Sequence, residues 1–176
     1  MTTIWFDRKF DFNFGMEQYF HLLDRLHQAP ILFEQATRLV PEEVQMLKPN
    51  GKWSIKENIG HLTVLEPLWR TRLEEIREGK GEMTPADLQN TLTGEKGFNG
   101  DPLDELLKTF ALERDKTFAS LEKLEESDFS KASIHPRLQQ PMRIVDLLYF
   151  VAEHDQHHLD TILKIMDESW KQHGNN

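Results

Sequence analysis

A chain of 176 residues with a formal charge of −9 and no cysteine is long enough for one full core. It excludes a disulfide framework, thiolate metal ligands and a cysteine nucleophile. The acidic balance, without a basic cluster, argues against nucleic acid as a partner. No run of about 18 apolar residues exists to cross a membrane, and the aromatic, charged segment Met1–Phe14 lacks the apolar centre of a signal peptide. With 38% hydrophobic and 29% charged residues, the chain reads as a single soluble, cytoplasmic domain over 1–176.

In chain order, Trp5, Phe6, Phe10, Phe12 and Phe14 read as core or dimer surface. Met16, Phe20, Leu23, Leu26, Ile31 and Leu39 fall near helical spacing and predict a first helix from Met16 to Val40, kinked or split at Pro30. Glu42 to Leu47 can add a short turn, and Pro49-Asn50-Gly51 marks a chain reversal. Ser54-Ile55-Lys56-Glu57 fits a capping box at the start of a second helix, with Ser54 as N-cap. Its apolar stripe is Ile55, Ile59, Leu62, Leu65, Trp69, Leu73 and Ile76, bent at Pro67. Gly79 to Pro102 is polar and rich in glycine, too long for a simple bundle connection. It reads as a partly structured loop near a functional mouth, or as an insertion. A third helix is expected over Leu103–Leu124, with Asp101-Pro102 as cap and first position, and a fourth from Met142 or Arg143 to Trp170. Strand signals are weak throughout. The class is all-α, a four-helix bundle.

The fourth helix carries Glu153-His154-Asp155-Gln156-His157-His158-Leu159. On a helical wheel His158 lies within the apolar arc formed by Ile144, Leu147, Leu148, Val151, Leu159, Ile162 and Ile165. His154 lies at its edge, and His157 falls outside, at the surface or rim. Two imidazoles one turn apart on an inward face are the pair a helix offers to one metal ion. Asp155 is also inside the arc, where a carboxylate needs a partner and can orient a histidine. A third ligand is sought among His21, His27, His61, His135 and His173. His61, at the edge of the second helix's stripe, meets the pair if the second and fourth helices pack antiparallel.

Trp53-Ser54-Ile55-Lys56-Glu57-Asn58-Ile59-Gly60-His61-Leu62, followed by His135-Pro136-Arg137 and by His154-Asp155-Gln156-His157-His158-Leu159, resembles the DinB-like (YfiT-like) four-helix metalloprotein superfamily, over about Phe12 to Met166. The resemblance implies a divalent metal ion, zinc or nickel in different members, held by His61, His154 and His158. It also implies a small-molecule substrate, a homodimer and, in some relatives, S-transfer with a low-molecular-weight thiol of the bacillithiol, mycothiol or glutathione type.

Arg114 interrupts the stripe Leu103, Leu107, Phe110, Leu121 of the third helix. Either it snorkels or pairs with an acidic residue, or it enters the pocket to hold a ligand carboxylate. Glu66, on the inner half of the second helix, is a solvated residue, a group that steadies a ligand, or a general base. The expected activity is metal-dependent S-transfer. A metal-dependent hydrolase using the same ligands and a non-catalytic metal- or small-molecule-binding stress protein are the alternatives.

Overall fold

Four long helices carry the fold, and each is explained by where its apolar residues recur. The structure, a computed structural model, describes residues 5–173, with side chains to residue 171. The elements are α1 (Tyr19–Thr37), α2 (Glu42–Gln45), α3 (Ile55–Arg77), α4 (Thr91–Lys96), α5 (Leu103–Leu121) and α6 (Ile144–His173), with a two-stranded antiparallel hairpin of β1 (Ala132–Ile134) and β2 (Pro141–Arg143) before α6. A single turn of 3-10 helix, Met16–Gln18, leads into α1.

The capping box at α3 is present as expected. Ser54 Oγ accepts from Glu57 N–H at 3.1 Å, and the Glu57 carboxylate accepts from Ser54 N–H at 2.9 Å. At α5 the cap is Pro102 and the first helical residue Leu103, one position later than expected.

Contacts fix the helix directions. Asn58 of α3 meets His158 of α6, while Trp69 further along meets Phe150, so α3 and α6 are antiparallel. In contrast, α3 and α5 run parallel: Thr63 shares a groove with Leu106, and Arg70 reaches Thr117. Parallel neighbours need a crossover the length of the bundle, which is why residues 78–102 form a long connection.

The core falls into two apolar clusters. One holds Leu22 and Leu26 of α1, Trp69, Leu73 and Ile76 of α3, Leu121 of α5, and Ile144 to Ala152 of α6. The other holds Ala29 and Phe33, Ile55 to Leu62, Leu103 to Phe110, and Ile162 to Met166. Between them the stripe turns polar at one level on three helices: Glu66 on α3, Arg114 and Thr117 on α5, and His154, Asp155 and His158 on α6, all buried.

Three sequence expectations are corrected. The buried face of α1 is Leu22, Leu26, Ala29, Phe33 and Thr37, whereas Phe20, Ile31 and Leu39 are exposed. The i, i+4, i+7 series that starts at Leu22 wins because it pairs with both apolar clusters. Pro30 does not split α1. A proline has no N–H for the carbonyl four residues back, so the Leu26 C=O loses its helical donor, and Arg114 Nη1 supplies a replacement at 3.0 Å. Finally, the connection expected over 127–141 contains the hairpin. Its strands are three residues each, too short to show alternation in sequence, and Gln139 takes a positive φ of 52° in its turn. No described helix is long and apolar enough to cross a membrane.

Candidate metal centre

The polar interruption of α6 faces the start of α3, and there three imidazoles converge. One ligand atom from each of His61, His154 and His158 lies within 4.8 Å of the others, and all three residues are buried. His158 Nε2 and His154 Nε2 stand 3.2 Å apart.

The outer ring nitrogens show how the donors are oriented. Asn58 donates from Nδ2 to Ser54 C=O at 2.7 Å, which leaves its Oδ1 facing His158 Nδ1 at 2.7 Å. An amide oxygen only accepts, so His158 carries its proton on Nδ1 and presents a bare Nε2 inward. His61 Nδ1 lies 3.0 Å from the Thr93 hydroxyl, which leaves its Nε2 for the centre. His154 Nδ1 is buried without a hydrogen-bond partner. Burial sets the protonation state. It pushes the His61 pKa down to about 4, aided by nearby His157, and holds His154 and His158 well below the ordinary histidine value, aided by repulsion from the other histidines around them. All three are neutral at pH 7. Three neutral imidazoles, two of them braced on their outer nitrogens, form a donor set that suits a divalent ion.

Thr93 and Asn58 were not singled out by sequence. Thr93 has no periodic signal because it lies on the six-residue α4, inside the long connection. Gly60 makes room for that connection: a Cβ there would meet the Phe98 ring at 2.4 Å. Asn58 was legible in principle as a polar residue one turn before Leu62 on a buried stripe.

A cavity of about 340 Å³ opens beside the triad. Its walls include Trp53, 4.5 Å from His61 between ring centroids, and Trp69, 5.7 Å from His154. Trp5 packs 5.0 Å from His154 and 5.2 Å from Phe150. The N-terminal aromatic group is therefore divided: Phe10 is core, but Trp5 and Phe6 line the cavity. The segment is tied down by Arg8 to Glu153 and by Arg143 Nη2 to Phe14 C=O at 2.8 Å. Residues 85–88 and Asn90 form the opposite rim, so the long connection is a cavity wall.

The other expected residues are placed as follows. His157 is outside the triad, half-buried, and its ring lines the cavity 5.5 Å from Trp5. His135 is buried in the cavity wall, away from the ligand group; His27 packs on Phe118; His21 lines a separate groove. The side chain of His173 lies outside the described residues.

Arg114 does not enter the cavity. It is buried between protein carboxylates, Nε to Glu66 Oε1 and Nη2 to Asp155 Oδ2, both 2.8 Å. Burial opposes its charge, but Asp155 and Glu66 outweigh that and raise its pKa. Of its two expected readings, pairing with acidic residues of the bundle is the one found and binding of a ligand carboxylate is not; Glu66 is neither solvated nor free, and binds Arg114 and the Thr117 hydroxyl. Asp155 bonds Arg114, with no bond to a triad imidazole. Burial lifts its pKa to about 6, against the pull of Arg114.

The family model of the DinB superfamily matches residues 21–162. A Bacillus licheniformis protein named "Putative metal-dependent hydrolase" is 31% identical over 140 residues, covering 76% of this chain and 77% of its own. The structure of YfiT from Bacillus subtilis, described as a probable metal-dependent hydrolase with an unusual four-helix bundle topology, superposes with a TM-score of 0.78 at 18% identity over 92% of this chain and 93% of its own. By sequence match and fold together, the chain belongs to the DinB superfamily.

Proposed function

We propose that this protein is a divalent-metal-dependent enzyme that acts on a small molecule in the aromatic cavity, with His61, His154 and His158 as the metal ligands. The observation that carries this is the convergence of three buried, neutral imidazoles, two with their outer nitrogens braced, at the floor of an open cavity. A purely structural site closes with a fourth protein ligand, and no fourth histidine or carboxylate joins this group among the described residues. A divalent ion there supplies a Lewis acid that lowers the pKa of a thiol or water placed beside it.

The residues of the chain support thiol S-transfer as the first reading. Trp5, Trp53, Trp69 and Phe150 offer flat apolar walls to a thiol and its electrophile. A thiol needs no strong general base once its pKa is lowered, and both buried carboxylates nearby are ion-paired with Arg114, Glu66 through Oε1 and Asp155 through Oδ2. His157, which lines the same cavity, is the group we assign to take up the proton released. Hydrolysis is the second reading, favoured by the names of the two relatives, with His157 as the group that takes the proton from water.

The test is turnover by zinc- and nickel-loaded protein of a thiol with an electrophile such as 1-chloro-2,4-dinitrobenzene, set against ester and amide hydrolysis. Thiol transfer that depends on metal and is lost in His154→Ala supports the first reading. Metal-dependent hydrolysis without thiol transfer supports the second, and metal-independent rates in both assays contradict the proposal.

A further inference from the structure

The triad occupies one part of the cavity; two arginines occupy another. Arg72 and Arg137 both line it, and among the described residues neither forms an ion pair. Arg137 is held between two rings, its guanidinium carbon 5.8 Å from the Phe6 centroid and 5.9 Å from that of Phe150. Its Nη1 donates to Phe6 C=O at 3.2 Å, while its Nη2 is buried without a partner. Arg72 is 1% exposed and spends Nε on Thr84 C=O at 3.0 Å. Its Nη1 faces His135 Nε2 at 3.1 Å.

That last contact does not satisfy Arg72. His135 Nδ1 receives the backbone N–H of Arg137 and of Leu138, both at 3.2 Å. A neutral imidazole that accepts at Nδ1 carries its proton on Nε2, so the Nε2–H meets another donor. The opposite tautomer moves the conflict to the two backbone N–H groups. Either way the cluster has more donors than acceptors, and two like charges, Arg72 buried and Arg137 half-buried, share one wall. Buried cations without a counter-charge are costly. The acidic residue of the same cavity, Asp87, is exposed at the rim and is taken up by the backbone N–H of Gln89 and Thr91. Glu75, near Arg72, is bound to Lys80 and Thr84.

We infer that Arg137, Arg72 and His135 form a carboxylate-binding subsite, so that the molecule taken by the cavity carries a carboxylate at one end and its reacting atom at the triad. The two oxygens of a carboxylate match the spare donors of Arg137 and of the Arg72–His135 pair. A phosphate would leave a third oxygen unpaired against aromatic walls. The reach is that of a small molecule. Arg72 lies 5.4 Å from the Trp69 centroid, and Trp69 lies 5.7 Å from His154, so the guanidinium and the ligand ring are separated by no more than those two steps. The subsite also gives a reason for burying Arg72, whose pKa burial lowers to about 10 despite the opposing pull of Glu75, with a smaller push from Arg137.

The inference rests on the proposed function only for what sits at the triad end, and the experiment separates the two. Trp5, Trp53 and Trp69 line the cavity, so ligand binding is read from tryptophan fluorescence of the full chain, metal-free and zinc-loaded. The probes are 3-mercaptopropionate, its methyl ester and propionate. The acid is expected to bind at least about 10-fold more tightly than the ester in both forms of the protein. Arg137→Gln is expected to weaken the acid by about 10–100-fold, the loss of one charged hydrogen-bonded contact, to leave the ester and the zinc content unchanged, and Arg137→Lys to recover part of the loss. Equal binding of acid and ester by the unaltered protein, a comparison that needs no variant, overturns the subsite, as does an Arg137→Gln protein that binds the acid normally. If propionate binds through Arg137 while zinc confers no preference for the thiol, the subsite stands and the metal-thiol reading fails.

Discussion

Replacing Arg114 by methionine removes three hydrogen bonds from the polar layer while keeping most of the volume. Glu66 and Asp155 then share a buried site without a cation, and the Leu26 carbonyl, deprived of a helical donor by Pro30, is left unpaired. Taking one partner from a buried ion pair costs about 3–5 kcal/mol, and an orphaned carbonyl about 1–3 kcal/mol. Because these contacts share one guanidinium they do not simply add, so a loss on the order of 5 kcal/mol is expected, about 10–20 °C in melting temperature for a chain of this size. The loss depends on pH. Without Arg114 the folded pKa of Asp155, about 6 in the parent protein with Arg114 holding it down, rises further above its unfolded value near 4. Stability is then complete below that pH and falls as pH rises toward the raised value. The deficit relative to the parent protein is therefore smallest near pH 5 and largest above pH 7, and adding Glu66→Gln and Asp155→Asn reduces it at pH 7.5. Chemical denaturation of the metal-free proteins at pH 5 and 7.5 measures both. A loss under about 1 kcal/mol, or the same loss at both pH values, refutes this account of the layer.

The parent metal-free protein behaves in the opposite sense. His61, with its folded pKa depressed to about 4, and His154, His158 and His135, all lowered by burial, contribute stability that is present above the unfolded histidine pKa near 6.5 and lost as pH falls toward the folded values. His61 alone accounts for on the order of 3 kcal/mol. Asp155, raised to about 6, opposes this as one group against four, so a denaturation midpoint that rises as pH drops from 6.5 to 5 contradicts the reading. Asn58→Ala is expected to weaken zinc binding by about 10–100-fold through loss of the acceptor that fixes the His158 tautomer, measured by competition with a chelator; unchanged affinity shows that the amide does not brace the ligand. Gly60→Ala drives a methyl into the Phe98 ring, at an expected cost of about 1–3 kcal/mol, and should release Thr93 from His61, seen as faster amide exchange over 91–100; normal exchange there refutes the packing argument.

The site was more legible than the scaffold around it. His154 and His158 stood out because α6 is long and evenly periodic, so two polar residues on its inward arc were conspicuous. Ser54 and Glu57 announced the start of α3 by a pairing local in sequence. On α1 the signal failed because apolar residues occur on every face: Phe20, Ile31 and Leu39 are exposed, and only packing partners choose between competing stripes. Arg114 was recognised as an anomaly, but its partners sit on α3, α6 and the carbonyl freed by Pro30, a combination that tertiary structure alone assembles. Arg72, one turn beyond Trp69 on α3, carries the same kind of signal, a cation on a buried stripe. Arg137, on the hairpin turn, and Thr93, on a six-residue helix, had no periodicity to betray them.

The central claim is that His61, His154 and His158 together hold one metal ion. It is tested most directly by calorimetric titration of metal-free, untagged protein with zinc and with nickel, alongside single alanine variants of the three histidines and of His157. One equivalent is expected to bind the parent and His157→Ala proteins, with affinity reduced at least about 100-fold in each of the other three. Absence of binding to the parent, or binding that survives the loss of His61, His154 or His158, contradicts the claim.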